Sequence, residues 1–589
     1  MVMRFLVASL ALLLGAYVAC DHTREHYTRE PKEYQTPPHI IVIMADDLGW
    51  NDVGFHGSNQ IPTPNIDALA YNGVILNRHY VLPSCTPSRA AFLTGRYPIR
   101  MGMQGAGIKA GEPRGIPLEI RTLPEHLQGL GYVTRLIGKW HVGYHTPQHT
   151  PLHRGFDSFL GFYNSHITYY DYKYEQGNLS GFDMHRGSDP AWRDQGEYAT
   201  DLFTEEALRI IDSHDPMRPL YLQISHLAVH PPLEVPMRDL RSDEFYHIRE
   251  PNRRTFAAMV TRLDDSVGRV VASLGSKGLL KDSLILFLTD NGATPVGKFR
   301  NWGSNWPLRG TKYTLYEGGV RGVAAVWSPR LYETTRVSEQ LIHMTDWLPT
   351  LYAAAGGNLR DLGDLDGVNQ WPALSEGRAG TRHTMLLNID EVSGTEAAIQ
   401  GRFKLLRGSY SRGYYDGYHG ESGRYLENLP YNTTLVLGST VSKSITTYLG
   451  GPVTQPSAMV VLRLKASVEC SGYSGQLRRG NFDACNETEC LFDIVNDPCE
   501  TKNIAKDYQK MVTQLDLFLE QHGNVLTKQA LMPVDWHADP RSFNGTWEPW
   551  LSPEAMLYAF TNAATAVSTL AVCAHIGMVL LIVGLRAFL

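Results

Sequence analysis

Two uninterrupted apolar runs, His39-Ile40-Ile41-Val42-Ile43-Met44-Ala45 and Ser283-Leu284-Ile285-Leu286-Phe287-Leu288-Thr289, end in oxygen-bearing pairs, Asp46-Asp47 and Asp290-Asn291. A strand apolar on both sides must be covered on both sides, as a central parallel strand of an α/β sheet is. Tyr132 to Ile137 and Pro219 to Ile224 are further predicted strands, and helices are predicted at Pro64 to Tyr71, Leu123 to Leu130, Tyr198 to Ile211 and Arg254 to Leu274. This alternation implies an α/β domain over residues 38–385, a large mixed, mostly parallel sheet with helices on both faces. The texture then changes. Residues 407–450, rich in Tyr, Gly and Ser, read as a long loop region, and an amphipathic helix is expected near Ile504 to His522, so residues 386–551 are expected to form a smaller α+β domain.

In open α/β sheets ligands collect beyond the carboxyl ends of the strands, so Asp46, Asp47, Asp290 and Asn291 can converge although they are far apart in sequence. Four oxygen donors without imidazole favour calcium or magnesium over zinc. Lys139 and His141, in Gly138-Lys139-Trp140-His141, follow another predicted strand, and His230, in Ala228-Val229-His230-Pro231-Pro232, follows a fourth. Lys312 lies after a loop rich in Trp and Gly. Lysines can hold anionic oxygens and histidines can carry protons to a leaving group. His226, four residues before His230, lacks the matching Pro-containing context and ranks lower.

The segment Cys85-Thr86-Pro87-Ser88-Arg89, continued by Ala90-Ala91-Phe92-Leu93-Thr94-Gly95-Arg96, places a Cys near a helix N-terminus, where backbone N–H groups favour an anion. A cysteine phosphatase would need an Arg six residues after the Cys, and Ala91 stands there. The segment instead matches C-x-P-S-R-x-x-x-L-T-G-R, and the chain resembles the type I sulfatases, in particular the arylsulfatase B, I and J branch, over roughly residues 38 to 550. ADDLGWNDVGFHG from Ala45, GKWHVG from Gly138, TDNG from Thr289, NWPLRG from Asn305, YEGGVRG from Tyr316 and LFDIVNDPCETKNIA from Leu491 carry the same resemblance.

That resemblance implies that Cys85 is oxidised to formylglycine by a formylglycine-generating enzyme. A hydrated aldehyde offers two hydroxyls on one carbon, one to attack sulfur and one to collapse and expel sulfate. It further implies one calcium ion bound by Asp46, Asp47, Asp290, Asn291 and residue 85. Arg89 would steady the hydrate, Lys139 and Lys312 would hold the sulfate, His141 would support the collapsing hydroxyl and His230 would serve the leaving oxygen. The departures lie outside these motifs: Cys pairs near Ile108 and Lys109 are missing, and Leu387-Asn388-Ile389-Asp390 replaces H-N-I-D.

Residues 1–20 carry one Arg, an apolar run from Phe5 to Leu14, and Val18 and Cys20 at the −3 and −1 positions of a cleavage site, which reads as a signal peptide. Residues 21–37 read as a flexible lead-in. Cys470, Cys485, Cys490 and Cys499 form an even, clustered set that suggests two disulfides with three possible connectivities. Sequons at Asn178, Asn432, Asn486 and Asn544 fit a secretory route, with the lysosome or the cell surface as destination. The apolar tail 564–589 is long enough to cross a bilayer and suggests membrane attachment, as a terminal helix or as a GPI signal.

A net charge of −6 with 19% charged residues gives no nucleic-acid footprint. The expected function is a calcium-dependent sulfuric ester hydrolase acting on sulfated carbohydrate or aryl sulfate, with N-acetylgalactosamine 4-sulfate of glycosaminoglycans as the substrate that the resemblance implies. The alternative is a non-catalytic, membrane-tethered binding protein of the same fold. A bimetallic zinc phosphatase is disfavoured, because these strand ends lack His ligands.

Overall fold

Ten strands form the large sheet. In chain order they are β1 (His39–Ala45), β2 (Val74–Leu76), β3 (Val133–Lys139), β4 (Ser158–Phe162), β5 (His185–Arg186), β6 (Asp189–Pro190), β7 (Leu220–Ser225), β8 (Ser283–Thr289), β9 (Ala324–Trp327) and β10 (Arg336–Ser338). The computed structural model describes residues 36–552 apart from 241–244, 424–429, 452, 471–484, 486–487 and 530. The expected signal peptide, nearly all of the lead-in, the Asn486 sequon and the apolar tail lie outside the described residues. Among the described residues no helix is long and apolar enough to cross a membrane.

The spatial order is β10-β2-β9-β8-β1-β7-β3-β4-β5-β6. The stretch β8-β1-β7-β3-β4 is parallel throughout, and antiparallel strands flank it. Every residue of β1, β7 and β8 is buried, as expected of strands covered on both faces. The register aligns Ala45 with Thr289, so Asp46 and Asp290 leave the sheet at the same level. Lys139 ends β3, two strands from β1.

The helices expected between these strands are present as α1 (Pro64–Asn72), α2 (Cys85–Thr94), α3 (Leu123–Gly129), α4 (Ala199–Ser213) and α5 (Pro251–Ser276). The expectation of a long loop over 407–450 is corrected. Residues Thr433–Leu437 are helical, and so is α6 (Thr440–Leu449), followed by α7 (Pro456–Ala466). Composition hid α6, because its buried side chains are only Val441, Ser442, Ser444 and Ile445, capped by the Ser439 side chain on the Ser442 N–H. Val441, Ile445, Met459 and Leu462 join the core of the large sheet, so tertiary packing overrides weak helix propensity here.

A second, antiparallel sheet consists of β11 (Thr384–Asp390), β12 (Thr395–Gln400), β13 (Phe403–Arg407) and β14 (Cys490–Asp493), in that order. Its first strand begins two residues before the expected start of the second domain. One face, with Leu386, Ala398, Leu405 and Leu491, packs on Val512, Leu515 and Leu519 of α8 (Gln509–Gly523). The other face, with Met385, Leu387, Ala397, Ile399, Leu406 and Phe492, packs on Leu315, Tyr316 and Val320. Two disulfides, Cys470–Cys499 and Cys485–Cys490, select one of the three connectivities.

The two sheets are joined through a buried ionic cluster. Lys404 Nζ lies 3.0 Å from Glu317 Oε1 and 2.8 Å from Glu500 Oε1, and all three side chains are fully buried. The Glu317 N–H donates to Glu500 Oε2 at 2.7 Å, and Tyr80 Oη donates to Glu317 Oε2. Burial first, with the Glu317 charge adding, pushes the Glu500 carboxyl up to about 7. A carboxyl raised in the folded state binds more protons there than in the unfolded chain. Its contribution is therefore fully present below the ordinary Glu range and is lost as pH rises through 7. Thermal denaturation at pH 5 and pH 8 should show this loss, and Glu500→Gln should remove on the order of 2 kcal/mol of it.

Candidate active site

The carboxyl ends of β1, β3, β7 and β8 meet in one buried place. Asp46, Asp47 and Asp290 are fully buried, and one oxygen from each lies within 4.8 Å of the others. The segment after β7 is drawn toward them by backbone bonds: His226 N–H to Met44 O, Val229 N–H to Asp46 O, and Asp46 N–H to Ala228 O. Asn301, in the loop after β8, donates to Asp47 O at 2.8 Å and to Val229 O at 3.3 Å. Asp47 and His141 hold left-handed backbone, φ 58° and 56°, a conformation that costs energy for residues with a Cβ and often marks working sites.

Three cations face the three acids. Arg89 donates from Nε (3.1 Å) and Nη2 (2.8 Å) to Asp290 Oδ2, Lys139 Nζ lies 2.7 Å from Asp46 Oδ2, and Lys312 Nζ lies 2.6 Å from Asp47 Oδ1. Asn291 Nδ2 also donates to Asp47 Oδ1, at 2.6 Å. Burial pushes both the Asp46 and Asp290 carboxyls up. At Asp46 the Asp290 charge adds to burial and the net direction is up, whereas at Asp290 the charges of Arg89, Lys139 and Lys312 prevail and the net direction is down.

Cys85 is the first residue of α2, which follows the extended Ser84 and ends at Gly95, φ 65°. The thiol is 4% exposed, with Sγ 3.2 Å from His141 Nδ1. Thr86 Oγ1 donates to His141 O and accepts from the Ile108 N–H, which locks helix, strand end and the segment around Ile108 together. His141 Nε2 lies 2.9 Å from Ile108 O. A carbonyl can only accept, so Nε2 carries the proton, and in the neutral ring the lone pair of Nδ1 faces residue 85. Burial first, then the Lys139 charge, drives the His141 pKa well below its ordinary value.

His230 is fixed in the same way, with Nδ1–H donating to Pro231 O at 2.7 Å, which leaves Nε2 3.8 Å from Asp47 Oδ2. Burial and then Lys312 push its pKa well below normal. His226 lies elsewhere, buried with Nε2 3.2 Å from Ser266 Oγ of α5. The Lys312 loop is tied to the approach to α2 by the Tyr313 N–H on Pro83 O.

All the residues singled out from the sequence therefore converge: Asp46, Asp47, Cys85, Arg89, Lys139, His141, His230, Asp290, Asn291 and Lys312. Sequence reasoning missed four neighbours. His166 stacks on His230 at 4.8 Å. Asn301 and Thr294, which reaches Asp47 Oδ2 at 3.3 Å, sit between the TDNG and NWPLRG motifs, and that spacing was the available signal. Gly107 passes so close to His141 that a Cβ there would lie 2.9 Å from Cε1. Of the two departures from the family pattern, the Ile108 segment touches the site, whereas Leu387 is buried between the sheets. A cleft of about 720 Å³ around Ile61, Pro64, Tyr431 and Leu435 contains none of the converging residues.

A family profile described as Sulfatase matches residues 38–357, the span that supplies all ten. The chain belongs to the sulfatase family. It is 34% identical to arylsulfatase J of Mus musculus over 533 residues, 88% of this chain and 81% of that protein. It is also 34% identical to human N-acetylgalactosamine-6-sulfatase, over 58% of this chain and 66% of that protein, and to human arylsulfatase A, over 62% and 74%. Among solved structures, Ps i-CgsB aligns with a TM-score of 0.65 and 26% identity, covering 87% of this chain and 100% of that one. These sulfatase relatives make the protein a sulfuric ester hydrolase, and the family implies a formylglycine-based, metal-dependent mechanism.

Proposed function

We propose that the protein is a calcium-dependent arylsulfatase that uses formylglycine made from Cys85 and removes sulfate from sulfated sugars, with N-acetylgalactosamine 4-sulfate as preferred substrate. The observation that carries this reading is the convergence, at the carboxyl ends of four neighbouring parallel strands, of Cys85 with a buried triad of acids and the side chains Arg89, Lys139, His141, His230 and Lys312. The buried acceptors Asp46 Oδ1 and Asn291 Oδ1 have no hydrogen-bond partner, and the donor set is all oxygen, which fits a hard cation. Asp46, Asp47, Asp290, Asn291 and residue 85 would hold calcium, whose charge would offset that of the carboxylates and the ester. The hydrate of formylglycine would supply an oxygen nucleophile where the thiol now stands.

The chain's own residues do the rest. Arg89, anchored on Asp290, holds the side chain of residue 85 in register with the acids. Lys139 and Lys312 present ammonium groups to the nonbridging oxygens of the ester. His141, its tautomer set by Ile108 O, can take a proton from residue 85. His230, with Nδ1–H held by Pro231 O, presents the lone pair of Nε2 to the leaving oxygen, and this nitrogen takes up a proton before it can deliver one there. Burial excludes bulk water, so each of these charges acts at low dielectric.

Several facts support a sugar substrate and a secretory setting. Arylsulfatase J and N-acetylgalactosamine-6-sulfatase are relatives, and Ps i-CgsB was solved with a neocarrahexaose. The disulfides fit an oxidising compartment, the lysosome or cell surface, and sequon residues Asn178, Asn432 and Asn544 are all exposed. Maturation would require a formylglycine-generating enzyme, and the tail 564–589 would attach the protein to a membrane. In this reading residues 38–385 are the catalytic domain and 386–551 the smaller one. Turnover of a small aryl sulfate, of N-acetylgalactosamine 4-sulfate and of 6-sulfated and N-sulfated glucosamine checks the preference. The 4-sulfated galactosamine should lead the sugars, and comparable or faster turnover of the glucosamine sulfates overturns that ranking.

A further inference from the structure

Beside His230 and Lys312 a cleft opens between two loops, 293–303 and 407–416, whose contents the mechanism does not use. Its lining is Val296, Gly297, Lys298, Arg300, Tyr414 and Tyr415, around a volume of about 520 Å³. The loops are in contact, because a Cβ on Gly297 would lie 2.4 Å from the Tyr415 hydroxyl. Aromatic rings connect the cleft to the site in two directions. Phe299 packs 6.4 Å from His230 and 5.9 Å from His166, and Tyr313, next to Lys312, meets Tyr415 at 5.8 Å and stacks on Tyr410 at 5.3 Å. Tyr414 is 60% exposed and crosses Tyr415 edge-on at 4.9 Å.

Among the described residues the cations in this cleft form no ion pair with an acid. Lys298 and Arg300 are exposed and form no ion pair or hydrogen bond among the described residues. Their contacts are aromatic: Lys298 Nζ lies 5.4 Å from the Phe299 ring centre, and the Arg300 guanidinium lies over Trp302 at 3.2 Å. Unpaired cations held over aromatic faces, beside a flat tyrosine surface, suit a ring that is apolar on one face and negatively charged at its edge. An anionic sugar has that form. An aryl group alone would use the tyrosines and leave both cations idle.

Resting on the sulfatase reading above, we propose that this cleft is the subsite for the next sugar of an oligosaccharide, a ring bearing a carboxylate or a second sulfate. That ring packs on Tyr414 and Tyr415 while Lys298 and Arg300 take its charge. The protein would then prefer anionic oligosaccharides to the sulfated monosaccharide.

The test uses a trisaccharide with a terminal N-acetylgalactosamine 4-sulfate and a uronate as second ring, in two assays. The first measures trisaccharide binding by titration calorimetry in a Cys85→Ala background, which needs no turnover. Lys298→Ala with Arg300→Ala should weaken it about tenfold and remove most of its salt dependence. The second compares kcat/KM for the trisaccharide and for 4-nitrophenyl sulfate, whose ratio should fall about tenfold in the double variant through KM. Tyr414→Ala should lower the same ratio. Unchanged binding and an unchanged ratio would overturn the subsite. Cation-dependent binding without turnover of any sulfate ester by the unsubstituted protein would uphold the subsite and count against the sulfatase reading.

Discussion

Cys85→Ala is expected to abolish sulfate ester hydrolysis, with kcat lowered on the order of 10⁴-fold or more, the scale on which loss of a covalent nucleophile is felt. The position explains both the size of the loss and its selectivity. Residue 85 opens α2 beside the lone pair of His141 and is the only free cysteine among the described residues. The thiol's one hydrogen-bond contact is to the His141 imidazole, so alanine leaves the helix and the Thr86 bonds in place. Circular dichroism and the melting temperature should change little while turnover disappears. Retained turnover in this variant would mean that the chemistry runs through another group.

Asp290→Ala is expected to remove metal and activity together, and stability with them. Asp290 accepts two hydrogen bonds from Arg89 and one from the Asp47 N–H, at the end of a strand whose every residue is buried. Removing it deletes a ligand and strands a buried guanidinium, a loss of about 3–5 kcal/mol when one partner of a buried pair is cut away. Asp290→Asn separates the two effects. It keeps the volume and some hydrogen bonding while removing one of the three carboxylate charges offered to the cation, so metal content, measured by elemental analysis, should fall with less loss of melting temperature. Full activity of metal-free protein would refute a metal role for these acids.

The parts of this molecule that were legible in its sequence are those whose physics is local. A run such as Ile40 to Ala45 can only be a doubly covered strand, and the register between β1 and β8 then brings Asp46 and Asp290 together without further information. The motif around Cys85 likewise announces its helix, because Pro87 suits the first turn. What stayed hidden depends on contacts across hundreds of residues. The helix Thr440–Leu449 buries too few apolar residues to declare itself and forms because α5 and α1 offer a surface to cover. His166 looked like any loop histidine, since only the folded chain stacks it on His230. The pairing of Cys470 with Cys499 was one of three equal possibilities until the fold brought them to a Cα separation of 5.9 Å.

The account depends most on what residue 85 becomes. Peptide mass spectrometry of the protein made in a secretory host, on the fragment containing Cys85-Thr86-Pro87-Ser88-Arg89, measures this directly. An aldehyde or its hydrate at position 85, in a preparation whose specific activity scales with the modified fraction, is the expected result. An active preparation that carries only the unmodified thiol at position 85 would contradict the account.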